Sequence, residues 1–199
     1  MHQAFKIGSF WSKIPGYEAR GSCPVCGEVE SISHILLTCQ AIGRELVWSL
    51  ARSLWERKGL PWSVPSLADI LGIGTKVWTV PGRRKRREGA SRFWRVLISE
   101  SVYFIWKLRC ERVIAHADEE GWQHSVDSVR SRWLCAMNLR LHTDMDMTHR
   151  RFGRKALKAQ SVLATWNGVI HDERALPYEW NELPKVLVGI LLRVPLDAG

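Results

Sequence analysis

The sequence predicts a mainly α-helical protein, a small Cys- and His-rich module followed by a helical domain. Two observations carry this. Apolar residues recur at helical spacing in four separate segments. Three of the five Cys, with one His, fall inside the window 23–39. The chain divides accordingly into residues 1–60, a Pro-, Gly- and Arg-rich connection over 61–90, and a C-terminal helical domain over 91–199.

In the first segment, Cys23-Pro-Val-Cys26 with Gly27 behind it reads as a tight turn. His34 and Cys39 open and close a short helical turn over 33–39, whose Ile35, Leu36 and Leu37 face the following helix. That helix is predicted over 41–58: Ile42, Leu46, Val47, Leu50, Leu54 and Trp55 form its apolar stripe, with Arg44, Glu45, Arg52, Glu56 and Arg57 between them. Gly59 and Pro61 stop it. Pro61, Pro65, Gly72, Gly74, Pro81 and Gly82 then break the pattern, leaving room for one short helix over 66–71.

A second long helix is predicted over 90–114. Trp94, Leu97, Ile98, Val102, Ile105 and Leu108 lie on one broad face and Phe93, Phe104 and Trp106 on its flanks, the pattern of a helix central to its core. A third, over 125–141, turns Val126, Val129, Trp133, Ala136 and Met137 inward and Arg130, Arg132 and Arg140 outward. A shorter one over 154–166 follows a turn region containing Asp144, Asp146 and Gly153. The apolar run 186–192 is a strand or a helical turn docked on the core. Cys110 and Cys135, remote from the cluster, read as small core fillers.

At 199 residues and 46% hydrophobic, the chain is long enough to bury a core and too apolar to be wholly disordered. Its longest apolar run is far below the roughly 20 residues of a bilayer span, so no membrane partner is expected. The first residues lack a charged region followed by an apolar one, which speaks against a cleaved secretion signal. Five Cys is sparse and odd, which points to a reducing, intracellular compartment rather than a disulfide framework.

The cluster reads Cys-x2-Cys, seven residues, then His-x4-Cys. Zn²⁺ prefers four S or N ligands in a tetrahedron, and Cys23, Cys26, His34 and Cys39 would fill that shell with no open position for water. Such a site is structural, and its metal binding is coupled to the folding of the segment.

Arg20-Gly-Ser-Cys23-Pro-Val-Cys26, followed by Glu30-Ser31-Ile-Ser-His34-Ile-Leu-Leu-Thr-Cys39 and then Trp48, resembles the zinc-binding region at the C-terminal end of non-LTR retroelement reverse transcriptases. In that family the module lies downstream of polymerase and RNase H-type domains. The resemblance covers residues 10–55 and carries the four ligand positions across one by one. It implies a non-catalytic accessory module that positions or binds nucleic acid, with upstream reverse transcriptase and RNase H domains as partners. A weaker likeness joins Ser99-Glu-Ser-Val-Tyr-Phe-Ile-Trp-Lys-Leu-Arg-Cys-Glu-Arg112 and Leu163-Ala-Thr-Trp-Asn-Gly-Val169 to the tail after this module in retroelement-derived proteins of fungal genomes. The twenty-two residues before Cys23 hold neither a polymerase aspartate pair nor the dispersed carboxylates of an RNase H site. The expectation is the end of a larger polyprotein, or a relic of one.

The net charge of +9 lies mostly outside the cluster, since residues 1–60 hold seven Lys and Arg against five acids. Arg83, Arg84, Lys85, Arg86 and Arg87 form an unbroken cationic run, readable as a nuclear import signal or a contact to RNA or DNA phosphates. Arg150, Arg151, Arg154, Lys155 and Lys158 form a second basic stretch, with no acid between Asp146 and Asp172. Neutralising some five phosphates gives a log–log salt slope of about −4 without sequence preference. Of eleven Trp, those at helical spacing belong to the core, while Trp11, Trp62 and Trp78 in irregular stretches are the better candidates for stacking on bases.

No catalytic constellation emerges. Asp144 and Asp146, and the run Asp118-Glu119-Glu120, read as capping and solvation at helix ends. His116, His124, His142, His149 and His171 follow no ligand spacing and read as surface or turn residues. The expected function is a non-catalytic, Zn²⁺-bearing, nucleic-acid-binding module. The alternatives are a zinc-stabilised protein-interaction module or a fragment without present function.

Overall fold

The computed structural model describes residues 5–80, 82 and 85–189. Among these the fold is mainly α, as expected. Its α-helices are α1 (Arg44–Glu56), α2 (Leu67–Leu71), α3 (Glu88–Cys110), α4 (Val126–Asp146) and α5 (Ala159–Trp166). No sheet forms among the described residues. The pairing there is confined to isolated antiparallel bridges, Ser22 with Val29, Thr79 with Arg86 and Ile170 with Val188. None of the described helices is long and apolar enough to cross a membrane.

Helix α3 is the axis of the molecule. Phe93, Trp94, Val96, Leu97, Ile98, Phe104, Ile105 and Leu108 are all buried, so apolar side chains spread around most of its circumference, and α1, α4 and α5 each lie against it. One continuous apolar core runs from Ile35 and Leu36 through all four long helices to Val186 and Val188. Close approach is made possible by glycines at two points. Gly43 precedes α1 at φ +121°, where a Cβ would also collide with Leu108. At Gly89, a Cβ would sit on the Ala164 carbonyl, so α3 and α5 touch backbone to backbone.

The predicted boundaries shift for identifiable reasons. Helix α1 starts at Arg44, after the Gly43 kink, which leaves Ile42 outside and 40% exposed. Helix α3 widens after Cys110 into a π-helical turn, Glu111–Ala115. Helix α4 runs on to Asp146 because Leu141 and Asp144 both point inward. Helix α5 begins at Ala159: the chain before it forms a 3-10 turn, Arg150–Lys155, kinked at Gly153, and the Leu157 N–H donates to the Met147 carbonyl at 2.8 Å. In the apolar run 186–192, residues 190–192 lie outside the described part. Val186 and Val188 are buried, and Val188 makes only a single bridge, so this end of the run is extended chain docked on the core.

Several side chains correct the sequence reading. Val126, expected inward, is 46% exposed because it occupies the first position of α4, beyond the reach of α3. Cys135 is exposed rather than a core filler, and Cys110 is only half-buried. His124 is buried, its Nε2 facing the Leu108 carbonyl at 3.1 Å, and that burial holds its imidazole below the usual range. Trp62 and Trp78, although in irregular segments, pack onto the aromatic core. Trp78 packs on Trp55 and Trp94 at ring distances of 4.9 and 5.5 Å, and Trp62 packs on Trp94 at 5.6 Å.

Asp144 caps and solvates nothing. It is 2% exposed, accepts two hydrogen bonds from the Arg92 guanidinium at 2.5 and 2.7 Å, and accepts the Trp166 indole N–H at 2.9 Å. Arg92 also donates to Thr165, so the cluster ties α3, α4 and α5 together. Asp144→Ala leaves a desolvated guanidinium and an indole N–H without their acceptor. The expected loss is about 3 kcal/mol or more, read as a lower urea midpoint, with Asp144→Asn losing less because one acceptor oxygen remains.

Candidate metal centre

Cys23 and Cys26 sit on a hairpin knuckle. The Cys23 N–H donates to Glu28 O at 2.8 Å and the Gly27 N–H to Cys23 O at 2.9 Å, while Ser22 bridges Val29 across the stem. Gly27, at φ +72°, closes the turn and leaves both thiols on its inner side. His34 and Cys39 come from the opposite wall. Five residues along an α-helix rotate a side chain about 140° away from its starting face. The chain here instead makes a π-helical turn, His34–Thr38, in which the Cys39 N–H donates to His34 O at 2.8 Å. The wider turn brings the two residues onto one side.

The four donor atoms of Cys23, Cys26, His34 and Cys39 all lie within 4.8 Å of one another, close enough to hold one metal ion. Cys23 Sγ is 3.7 Å from Cys39 Sγ, and Cys26 Sγ is 3.3 Å from His34 Nε2. Cys23, Cys39 and His34 are buried, and Cys26 is half-buried.

The surroundings prepare these donors. His34 Nδ1 lies 2.8 Å from Glu28 Oε2 and 3.3 Å from Thr38 Oγ1, so a proton held on Nδ1 leaves the Nε2 lone pair facing Cys26. Burial works against ionisation of Cys26, but backbone hydrogen bonds at Gln40 and Glu28 and the Cys23 and Cys39 thiols outweigh it and hold its thiol below the ordinary range. Cys39 behaves oppositely. Burial pushes its thiol up to about 12, helped by Cys23 and opposed by the Ala41 N–H and the charge of Arg112. A cation is what ionises such a thiol at neutral pH.

One buried ion pair anchors the hairpin to the body of the fold. Glu30 is 3% exposed and pairs with Arg109 of α3 through both carboxylate oxygens, while the Glu30 N–H donates to Gly21 O at 2.9 Å. The Trp48 indole of α1 donates to Leu36 O at 2.8 Å and fixes the π-helical turn. Glu28, Thr38 and Arg109 escaped sequence reasoning. Arg109 left one trace: it follows Leu108 on the buried face of α3, an unusual place for a cation without a partner.

The other predicted site residues lie elsewhere. Arg83 and Arg84 fall outside the described residues. Lys85 and Arg86 are exposed in a turn closed by the Val80 N–H donating to Lys85 O at 2.9 Å. Arg87 is half-buried, and its guanidinium donates to Lys58 O at 3.5 Å. Arg150, Arg151, Arg154, Lys155 and Lys158 are all exposed, on the 3-10 turn and at the start of α5. Asp118, Glu119 and Glu120 are exposed in the loop after the π-helical turn Glu111–Ala115, where Glu119 faces His116 at 2.8 Å.

Compared with protein-family models, with curated proteins and with solved structures, the chain finds no match in any of the three.

Proposed function

We propose that this protein is a zinc-stabilised, non-catalytic module that binds single-stranded RNA or DNA through phosphate contacts. It would serve as an accessory part of a retroelement-type reverse transcriptase and RNase H system, in the nucleus. The observation that carries the zinc assignment is the preformed donor set. A tetrahedral zinc ion separates two thiolates by about 3.8 Å and a thiolate from an imidazole nitrogen by about 3.5 Å, given its usual bond lengths. The spacings of 3.7 Å and 3.3 Å lie close to those edges. Three sulfurs and one nitrogen, with no carboxylate among the donors, suit zinc and not the oxygen-seeking Mg²⁺ or Ca²⁺. Bound there, zinc would be held by Cys23, Cys26, His34 and Cys39 and would supply charge and cross-linking only. Glu28 would orient His34, and the filled shell admits no substrate.

The nucleic-acid part rests on charge placement and on the resemblance of residues 10–55 to the retroelement module. Arg150, Arg151, Arg154, Lys155 and Lys158 have no ion-pair partner among the described residues; the first four lie on the 3-10 turn that precedes α5, and Lys158 is its N-cap. Lys158 at that end opposes the helix dipole, and a phosphate relieves that conflict. Arg86 and Arg87 flank the other end, because Arg87 reaches Lys58, whose Nζ donates to Asn167 O at 2.6 Å. The two basic segments thus bracket α5, about 12 Å long for its 8 residues.

Salt titration of binding to single-stranded RNA and DNA tests this. The expected log–log slope is about −3.5 for five phosphates of a single strand, and replacing the five cations of 150–158 by Gln flattens it. Absence of binding at low salt would overturn the nucleic-acid reading in favour of a protein-interaction module.

A further inference from the structure

The metal hairpin, an N-terminal 3-10 turn (Gly8–Lys13) and the C-terminal end of α3 enclose a cleft of about 980 Å³, with Lys6, Trp11, Arg20, Trp106, Arg112 and Trp122 on its walls. Arg112 is the unusual member. It is 7% exposed, and its Nε is buried without a hydrogen-bond partner. Its neighbours in charge are satisfied: Arg109 holds Glu30 and Arg132 holds Glu111. Among the described residues no carboxylate pairs with Arg112. Its charge reaches the Cys39 thiol, so zinc-bound thiolates would meet part of it, but no hydrogen bond occupies its Nε, and its planar fork is suited to a phosphate.

The rest of the cleft supplies flat surfaces. Trp11, Trp106 and Trp122 are each only half-buried. Arg20 is exposed and lies over the Trp11 ring at 5.4 Å, putting a second cation beside an indole. Trp122 is braced from one side by His116, stacked at 3.6 Å with the rings 7° apart. The cleft's carboxylates, Asp118, Glu119 and Glu120, are exposed on the loop, with Glu119 already turned to His116. A buried unpaired cation beside indoles fits an anion joined to a planar ring.

We propose that this cleft receives one unstacked nucleotide of a single strand, its phosphate on Arg112 and Arg20 and its base against an indole. This rests on the nucleic-acid reading above but places a contact where that reading has none. Helix α3, 23 residues and about 34 Å long, separates the cleft at its C-terminal end from Arg86 and Arg87 at its N-terminal end. Base–indole stacking tolerates any sequence, matching non-specific binding.

The test uses the full chain, loaded with zinc, and a short oligothymidylate carrying 4-thiothymidine, read by fluorescence anisotropy and by mapping photo-crosslinks. Arg112→Gln is expected to weaken binding about tenfold or more and to abolish crosslinks to Trp11, Trp106 and Trp122, with Arg112→Lys recovering part of the affinity. Replacing the five cations of 150–158 by Gln should also weaken binding while leaving those crosslinks in place. If wild type binds and Arg112→Gln binds equally well, the cleft assignment falls and the general reading stands. The cleft assignment also falls if Arg112→Gln lowers zinc retention alone, which would make Arg112 merely a counter-charge to the thiolates. If wild type does not bind at low salt, both fall together.

Discussion

Replacing Cys26 by Ser and His34 by Ala together is expected to abolish stoichiometric zinc and lower the melting temperature by about 10 °C. At a free zinc concentration a thousandfold above Kd, binding stabilises the folded state by about 4 kcal/mol, and a chain of this size shifts roughly 2–4 °C per kcal/mol. The loss should be local. Cys23, Cys39 and Ala41 form a small apolar cluster of their own, separate from the main core. The α1, α3, α4 and α5 packing does not pass through it, so far-UV circular dichroism should stay strongly helical while the hairpin opens. Cys135→Ser is the control: an exposed thiol outside the cluster, it should change neither metal content nor stability. Calorimetry with metal analysis reads both outcomes. Unchanged metal content in the double variant would refute the assignment.

The second large effect is expected at Glu30. Its carboxylate and the Arg109 guanidinium are 1% and 8% exposed, so neither charge has water to fall back on. Glu30→Ala strands a buried cation and is expected to cost about 3–5 kcal/mol by denaturant unfolding. Replacing both partners by Met removes the two desolvation penalties at once and should recover most of that loss. Glu30 lies two residues from Glu28 and pins the hairpin to α3, so Glu30→Ala should also loosen zinc retention, measured by competition with a chromophoric chelator. A double-Met variant as unstable as Glu30→Ala alone would mean that the pair contributes geometry that apolar packing cannot replace.

What could be read from the sequence was mostly local. The four cluster residues declare themselves because metal ligands at short spacing leave a pattern inside 17 residues. The long helices declare themselves by their apolar period. Tertiary polar contacts leave no such trace. Glu30 and Arg109 are 79 residues apart, and Asp144 and Arg92 are 52 apart. An Asp near a helix end looks like a cap until the partner helix is in place. The packing of Trp62 and Trp78 was hidden for the same reason: their segment has no period, yet the chain folds back and lays both indoles on Trp94. Cys135 misled in the other direction, since Leu134 and Met137 beside it suggested a core that only Met137 enters fully.

Zinc K-edge X-ray absorption on the purified protein tests the central claim most directly. The closed Cys₃His site predicts one zinc per chain, with three sulfur neighbours at about 2.3 Å and one nitrogen at about 2.0 Å. A first shell containing oxygen, or fewer than three sulfurs, would contradict a filled structural site at Cys23, Cys26, His34 and Cys39.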